Sequence, residues 1–242
     1  MKPFVISQGI EAVGLTLHLT ESNTLVLGDL QLGYESELRA SGVLLPDIQY
    51  KQVLSHITAA VEEAQPQEII LNGDVKHSFG SVSPQEWREV KQLFAALKDH
   101  KITVLRGNHD PLLPQITKDL NIQTADHKYL PKENAYITHG HRIPDDPDYK
   151  KSEIVIIGHD HPALGVSDGV RTELVKCFLT GRYEGKRLIV LPSITFLTEG
   201  TDLLKETPLS PFLSGDIREF KAYAYADGTI LPFGKLKDAT RT

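Results

Sequence analysis

Cysteine is almost missing from this sequence, since Cys177 is the only one in 242 residues. A single thiol cannot form an internal disulfide, so a disulfide framework is excluded and a reducing compartment, the cytoplasm, is the expected location. Cys177 lies in the apolar run LVKCFL, which is typical of a strand. We expect a small buried thiol there rather than a catalytic nucleophile.

Long apolar runs and an excess of positive charge are also lacking. No segment approaches the roughly 18 apolar residues of a membrane-spanning helix, and the N-terminal segment MKPFVISQGIEAVG has no continuous apolar core. We therefore expect a soluble, unexported protein with no membrane partner. The formal net charge of -6 disfavours strong binding to long nucleic-acid duplexes through a global basic surface.

The composition that remains is ordinary for a globular protein. Apolar residues make up 40% of the chain and charged residues 24%, and no segment is repetitive or of low complexity. A chain of 242 residues is long for one domain and short for two. Because no linker composition divides it, we predict a single domain over residues 1–242.

Short apolar runs alternate with amphipathic segments, a pattern typical of strands that lead into helices in an α/β fold. Asp47 is expected to cap a helix that ends near Ala64. Ser83 and Glu86 form a predicted capping box for the next helix, with Pro84 at its first position. Later, the runs around RYEG predict a hairpin, and KAYAYADGTILPFG predicts another that turns at residues 227–228.

Five polar motifs each follow a buried-strand pattern. They are GDLQ (28–31), NGDVKH (72–77), GNHD (107–110), THGH (138–141) and GHDH (158–161). Any one of them could be an ordinary turn, because Gly and Asp favour turns. In α/β sheets, however, ligands bind beyond the carboxyl ends of the strands. We therefore expect the five motifs to form one site.

The motifs supply a set of side chains that suits metal ions. The set comprises two carboxylates, one amide and three imidazoles: Asp29, Asp74, Asn108, His139, His159 and His161. This mixture fits Mn²⁺, Zn²⁺ or Fe²⁺ better than Ca²⁺, which prefers all-oxygen ligands. Two ions can share the set if one carboxylate bridges them.

At this point the sequence resembles the calcineurin-like metallophosphoesterases. That family is defined by the ordered motifs D-x-H, G-D, G-N-H-D, a histidine after a strand, and G-H-x-H, which this chain matches over roughly residues 24–161. The chain differs from the family at the first motif, D-x-H, where it has Asp29-Leu30-Gln31. The segments GDLQLGYE, NGDVKH and the loop 191–211 are similar to a prokaryotic subgroup related to the SbcD nuclease subunit.

The resemblance implies a sandwich of two mixed β-sheets flanked by α-helices and a dinuclear metal centre. One metal would be held by Asp29, Asp74 and His161, with Gln31 beside them. Asp74 would bridge to the second metal, whose further ligands would be Asn108, His139 and His159. Mn²⁺ is the expected metal, with Zn²⁺, Ni²⁺ and Fe²⁺ as alternatives. A hydroxide bridging the two metals would attack phosphorus in line.

Other polar residues of the motifs receive catalytic or substrate-binding roles. His109 would stabilise the transition state or protonate the leaving oxygen, and Asp110 would fix the tautomer of His109. His77, His141 and Arg142 are candidates for binding substrate phosphate. The alternatives are ordinary loop positions for the two histidines and a solvated surface cation for Arg142. Lys76 is a further candidate for binding substrate phosphate, with the same alternative of a solvated cation.

Gln31 is the residue that departs from the family. Its amide oxygen is a neutral and weaker metal donor than an imidazole, so the first metal is expected to bind loosely or through a water molecule. We expect a weakened metal-dependent enzyme rather than an inactive one.

These observations favour a hydrolase of phosphodiester bonds, with DNA or RNA as candidate substrates. The alternatives are a phosphomonoesterase and a scaffold that has kept the fold without catalysis. A metallo-β-lactamase-like site is excluded, because His161 is followed by Pro162 and not by the remainder of an H-x-H-x-D-H motif. No heptad pattern or apolar face identifies an oligomer interface, so self-association stays open.

Overall fold

The computed structural model describes residues 1–46, 48–78, 83–110, 112–113, 117–118, 120, 122–167 and 169–239. Within these residues the strands form two sheets. The first has seven strands in sequence order: β1 (Phe4–Ser7), β2 (Ile10–Val13), β3 (Thr16–Leu19), β4 (Thr24–Gly28), β5 (Glu68–Asn72), β6 (Lys101–Leu105) and β7 (Gln123–Ala125). Strands β1 to β4 pair antiparallel, and β4 to β7 pair parallel.

The second sheet has nine strands among the described residues. They are β8 (His127–Leu130), β9 (Ala135–Thr138), β10 (Ile154–Ile157), β11 (Pro162–Ser167), β12 (Thr172–Tyr183), β13 (Lys186–Val190), β14 (Thr201–Asp202), β15 (Lys221–Ala226) and β16 (Thr229–Lys235). Their order is β14-β11-β12-β13-β10-β9-β8, and the β15–β16 hairpin pairs with β12. Strand β10 pairs in parallel with β9 and with β13. The pairs β8–β9, β11–β12 and β12–β13 are antiparallel.

Both sheets are therefore mixed, and the helices lie beside them, which confirms the predicted fold class. The helices are α1 (Tyr34–Ala40), α2 (Gln49–Ala64), α3 (Pro84–Ala96) and α4 (Pro147–Lys151), with 3₁₀ turns at Pro211–Leu213 and Leu236–Asp238. Among the described residues, none of the helices combines the length and the apolar character needed to cross a membrane.

A core between the two sheets holds them together. Val26 and Ile70 of the first sheet pack in one cluster with Ile156, Phe178 and Ile189 of the second. Alternate residues of the same strands face the other way, where they meet α2 and α3 on the first sheet and the C-terminal segment on the second. Apolar groups on both faces explain why these strands read as continuous apolar runs.

The start of α2 is stabilised by a carboxylate from another helix. Glu35 of α1 is buried and its Oε1 accepts from the backbone N–H of Ile48 at 3.1 Å and of Gln49 at 2.7 Å. These amides would otherwise lack partners at the helix N-terminus. The predicted cap, Asp47, lies outside the described residues.

The start of α3 is the capping box that the sequence predicted. Ser83 Oγ accepts from the Glu86 N–H at 3.1 Å, and Glu86 Oε2 accepts from the Ser83 N–H at 3.2 Å. Both predicted hairpins are also confirmed: β12 and β13 turn at residues 184–185, and β15 and β16 turn at residues 227–228. All four turn residues have positive φ, as a tight hairpin requires.

Candidate metal centre

The five motifs follow the carboxyl ends of β4, β5, β6, β9 and β10. Strands β4 to β6 are parallel in the first sheet, and β9 and β10 are parallel in the second. Their ends meet at one edge of the sandwich, and the ligand atoms there come from both sheets. The expected convergence of the motifs is thus present in the structure.

One cluster of potential ligands lies at the centre of this edge. Asp74, His139 and His159 each offer one ligand atom, and the three atoms lie within 4.8 Å of one another. Asn108 joins them, because its Oδ1 is 3.0 Å from Nε2 of His139. These are the four residues expected to hold the second metal.

The orientation of His139 suits a metal ligand. Its Nδ1 is 3.1 Å from the backbone carbonyl of Asn72, while its Nε2 is 3.5 Å from Oδ2 of Asp74. An Nδ1–H bond to a carbonyl fixes the tautomer and leaves Nε2 for a cation, as is usual for metal-bound histidine. Asn72 also donates from its amide to the Thr138 carbonyl at 3.0 Å, so it ties the two sheets together.

The second cluster contains Asp29 and His161. Oδ1 of Asp29 is 3.3 Å from Nε2 of His161, and Oδ2 accepts from the His159 N–H at 3.0 Å. Oδ1 is buried and has no hydrogen-bond partner among the described residues. A buried carboxylate oxygen without a donor is costly unless a cation binds it. The residues therefore fit a divalent metal at this position also.

Gln31 contacts the first cluster through its amide nitrogen, whereas its amide oxygen contacts His77. Nε2 of Gln31 donates to Oδ2 of Asp74 at 3.2 Å, and Oε1 is 2.6 Å from Nδ1 of His77. The other ring nitrogen of His77 is 3.4 Å from Glu37. Gln31 thus presents an N–H, not an oxygen, to the predicted bridging carboxylate.

The backbone at the predicted ligands is strained. Ten non-glycine residues among the described ones have positive φ, and five of these are motif residues, namely Asp29, Gln31, Asp74, His159 and His161. Such conformations cost free energy and are concentrated at functional sites. The neighbouring glycines are needed for space, because a Cβ at Gly107 would collide with Asp74 and one at Gly158 with Asp29.

The pKa values of the three residues of the first cluster are shifted in different ways. Burial raises the pKa of Asp74, but hydrogen bonding and charge from His139 outweigh it and bring the pKa to about 2. Burial lowers the pKa of His139, but Asp74 and Asp29 raise it to about 9. Burial lowers the pKa of His159 to about 4. In the absence of metal, His139 carries a proton that a cation there must displace.

The two predicted catalytic residues have different surroundings. The His109 N–H donates to Oδ1 of Asp74 at 3.0 Å, and its Nδ1 is 2.5 Å from the His77 carbonyl. Asp110 is fully buried, and its oxygens accept from the backbone N–H groups of Gly107 at 3.1 Å and of Lys76 at 3.3 Å. Asp110 thus holds the backbone of the two loops, and the His77 carbonyl contacts the ring of His109, so the tautomer role of Asp110 stays a prediction.

The predicted substrate-binding residues lie around the clusters. His141 is 5.4 Å from His139 between ring centroids, and its buried Nδ1 has no hydrogen-bond partner in the described part of the chain. Arg142 is largely exposed and pairs with Asp126 at 3.4 Å. Lys76 is fully buried and its ammonium bonds to a backbone carbonyl, so its interpretation as a solvated cation is wrong.

Two charged residues near the site were not recognised from the sequence. Asp160 of the GHDH motif is buried, and it accepts from the Leu209 N–H at 2.6 Å and the Ser210 N–H at 3.2 Å. Lys176 lies in β12, where its Nζ is 2.5 Å from Oγ of Ser193. Its one sequence signal is a lysine inside the apolar run LVKCFL, whose Cys177 is buried as expected.

A further group that could hold a metal is formed by His127, Asp146 and Asp148. These carboxylates already have partners: Asp146 caps α4 by accepting from the Tyr149 N–H at 3.0 Å, and Asp148 pairs with Lys151 at 2.7 Å. The group is therefore explained by the structure of α4 and differs from the orphaned oxygen of the main centre.

A carboxylate and imidazole centre at the strand ends of a two-sheet α/β sandwich is typical of metal-dependent phosphoric-ester hydrolases. The model of the family described as calcineurin-like phosphoesterase matches residues 22–179 of the 242-residue chain. The chain therefore belongs to the calcineurin-like phosphoesterase family.

Solved structures agree with this assignment at the level of the fold. The nuclease MPE of Pseudomonas putida superposes with a TM-score of 0.68 at 18% sequence identity, over 96% of this chain and 99% of that one. A Vps29 single mutant from Entamoeba histolytica is 15% identical over 86% of this chain and 96% of that one, with a TM-score of 0.38, too low to add to the argument. A comparison with curated proteins gives no match.

Proposed function

We propose that this protein is a phosphodiesterase that cleaves phosphodiester bonds of nucleic acid with two divalent metal ions, of which Mn²⁺ is the first to test. The observation that carries the proposal is the pair of adjacent clusters. Asp74, His139 and His159 converge within 4.8 Å, and next to them Asp29 has a buried oxygen with no hydrogen-bond partner among the described residues. Two cations bound there would activate water and offset the charge on the phosphoryl oxygens.

The protein's own residues would hold the substrate and move a proton. His109 is anchored at its backbone by Asp74, and its Nδ1 is fixed by the His77 carbonyl. Nε2 of His109 would then exchange a proton with the leaving oxygen. Asp110 supports that geometry indirectly, because it fixes the backbone of residues 75, 76 and 107.

His77, His141 and Arg142 are the proposed contacts to substrate phosphates. The ring of His77 stacks on Tyr34 with a centroid distance of 3.9 Å. Burial lowers the pKa of His77 and of His141, so both would act as neutral hydrogen-bonding groups at pH 7. Arg142 is the cation of this set, and its largely exposed guanidinium can move from Asp126 to a phosphate.

The diester preference is supported by the fold shared with the Pseudomonas putida nuclease MPE. The net charge of -6 makes short or single-stranded nucleic acid a better candidate than long duplexes, since few phosphate contacts are then needed. The native metal and the cytoplasmic location remain predictions.

The test compares a diester with a monoester. Purified protein with Mn²⁺ is expected to hydrolyse bis-p-nitrophenyl phosphate and single-stranded DNA or RNA faster than p-nitrophenyl phosphate. His109→Ala, which removes the proposed acid, and Asp74→Asn, which removes a proposed metal ligand, are each expected to lower the diester rate by at least about 10²-fold. Asp216→Asn is the matched control, because this carboxylate is exposed and pairs with Arg218.

Each alternative has its own outcome. A higher rate on the monoester would replace the proposal with a phosphomonoesterase. A protein that binds Mn²⁺ but cleaves none of these substrates would favour the scaffold. Wild-type rates in both Asp74→Asn and His109→Ala would refute the mechanism.

A further inference from the structure

The metal position at Asp29 has one imidazole ligand fewer than the family motif supplies. At the Asp29 position the family motif places an imidazole two residues after the aspartate, and this chain has Gln31 there. The one atom of Gln31 that could bind a metal, Oε1, is 2.6 Å from Nδ1 of His77. Its amide nitrogen donates to Asp74 at 3.2 Å. Both ends of the side chain are thus already engaged, and rotation of the amide would break two hydrogen bonds.

A lysine of the second sheet interacts with the charge of Asp29. Lys176 is opposite Ala163 in the β11–β12 pair, two residues beyond His161. Its Nζ is 2.5 Å from Oγ of Ser193. The next residue, Ile194, donates its N–H to the carbonyls of residues 28 and 29 at 3.2 Å. Lys176 is therefore attached to the segment that packs against the backbone of Asp29.

The ammonium of Lys176 is not neutralised by an ion pair. No carboxylate lies within 4.0 Å of it in the described part of the chain, and the acidic group that acts on its charge is Asp29. Burial lowers the pKa of Lys176 to about 8, against the opposing effect of Asp29. At neutral pH the group remains mostly charged, so it shares the field of Asp29 with any metal bound there.

We propose that the two metal positions are unequal, and that the position of Asp29 and His161 is filled only together with an anionic phosphate group. Gln31 withholds a ligand from this position, and Lys176 is a positioning residue whose charge opposes a divalent cation there. The phosphate anion supplies both an oxygen ligand and the negative charge that offsets Lys176. The inference rests on the proposed metal centre and not on catalysis.

The direct test is a calorimetric Mn²⁺ titration of the metal-free wild-type protein, with and without inorganic phosphate. We expect about one equivalent of tightly bound Mn²⁺ without phosphate and about two with it. Electron paramagnetic resonance of free Mn²⁺ gives an independent count of bound ions. Two equally tight equivalents in the absence of phosphate would overturn the proposal, as would the same single equivalent in both conditions.

Variants separate the effect of Lys176 from the effect of Gln31. Lys176→Met is expected to tighten the weaker Mn²⁺ position about tenfold without phosphate, because a nearby like charge is removed, and Lys176→Arg is expected to behave as wild type. Gln31→His is expected to bind a second equivalent of Mn²⁺ tightly even without phosphate. Lys221→Met is the matched control, since this exposed lysine lies on β15 of the same sheet.

A folded Lys176→Met protein with unchanged binding at the weaker position would refute the role of Lys176. If that variant does not fold, the phosphate dependence of the wild type and the Gln31→His titration decide the question. Failure of the proposed function is distinguishable, because a protein that hydrolyses no ester can still show unequal, phosphate-dependent Mn²⁺ binding.

Discussion

At the scale of single residues, burial decides which charged groups keep their charge. Asp74 and His139 stabilise each other's ionised forms, whereas burial is the largest effect at His159 and His56 and lowers the pKa of each to about 4. His56 lies outside the metal centre, and its Nε2 accepts from the Leu15 N–H at 2.9 Å. Protonation of His56 would abolish that acceptor.

His56 therefore makes the free energy of unfolding depend on pH. Its pKa is about 4 in the folded protein and about 6.5 when unfolded. The contribution is complete above about pH 6.5, falls as the pH is lowered, and is lost by about pH 4, with a total of roughly 3 kcal/mol. Urea unfolding of His56→Gln across this range should show a weaker pH dependence than wild type.

A matched control for that experiment is His100→Gln, because His100 is half-buried and contacts a backbone carbonyl at 3.0 Å. It should keep the wild-type pH dependence. Identical curves for His56→Gln and wild type would show that His56 is not the group responsible.

Asp74 should also control how metal affects stability. A ligand that binds only the folded protein stabilises it by about 2.7 kcal/mol at a hundred times its Kd. We expect Mn²⁺ to raise the Tm of wild type, EDTA to reverse this, and Asp74→Asn to lose most of the increase. Differential scanning fluorimetry measures these Tm values, with Asp216→Asn as control. A full increase in the Tm of Asp74→Asn on addition of Mn²⁺ would show that the metal binds elsewhere.

At the scale of elements, α3 holds the loops of the centre. Glu86 accepts from the backbone N–H groups of His77 at 3.1 Å and Ser78 at 3.0 Å, besides capping its own helix. Glu89, one turn later, accepts from the Gly33 N–H at 3.0 Å. Two buried glutamates of one helix thus fix the loops that follow β4 and β5.

Glu86→Gln tests this support. An amide has one acceptor oxygen where the carboxylate has two, so at least one backbone N–H is left unsatisfied, at a cost of about 1–3 kcal/mol. The diester rate should fall as well, because His77 loses its anchor. Urea unfolding measures the loss of stability, and diester hydrolysis measures the loss of rate. Glu62→Gln is the control, because Glu62 is exposed on α2. Unchanged stability would mean that water replaces the carboxylate.

The sequence predicted those elements and ligands whose signals are local. The capping box at Ser83, the two hairpins and the strand-end motifs all depend on neighbouring residues, and they were found. Contacts between distant segments were not predicted. Glu35 caps a helix that starts 14 residues later, and Asp110 accepts from the backbone of a loop 34 residues away. No pattern of neighbours encodes such contacts, and for the same reason the position of Lys176 beside Asp29 was missed.

At the scale of the whole molecule, the two sheets share one core and one metal centre. The cluster that joins Val26 and Ile70 to Phe178 contains residues of both sheets, so separation of the sheets would expose it. We therefore expect the predicted single domain to unfold in one cooperative transition. Scanning calorimetry of the metal-free protein should give equal calorimetric and van't Hoff enthalpies, and two separate transitions would contradict the prediction.

The long separation between the ligands has a consequence for synthesis in the cell. Oδ2 of Asp29 accepts from the N–H of His159, which lies 130 residues further along the chain. A growing polypeptide thus carries both carboxylates well before it carries the last imidazoles. Any hydrolytic activity would then arise only after the second sheet has emerged from the ribosome and docked, so an incomplete chain would be inactive.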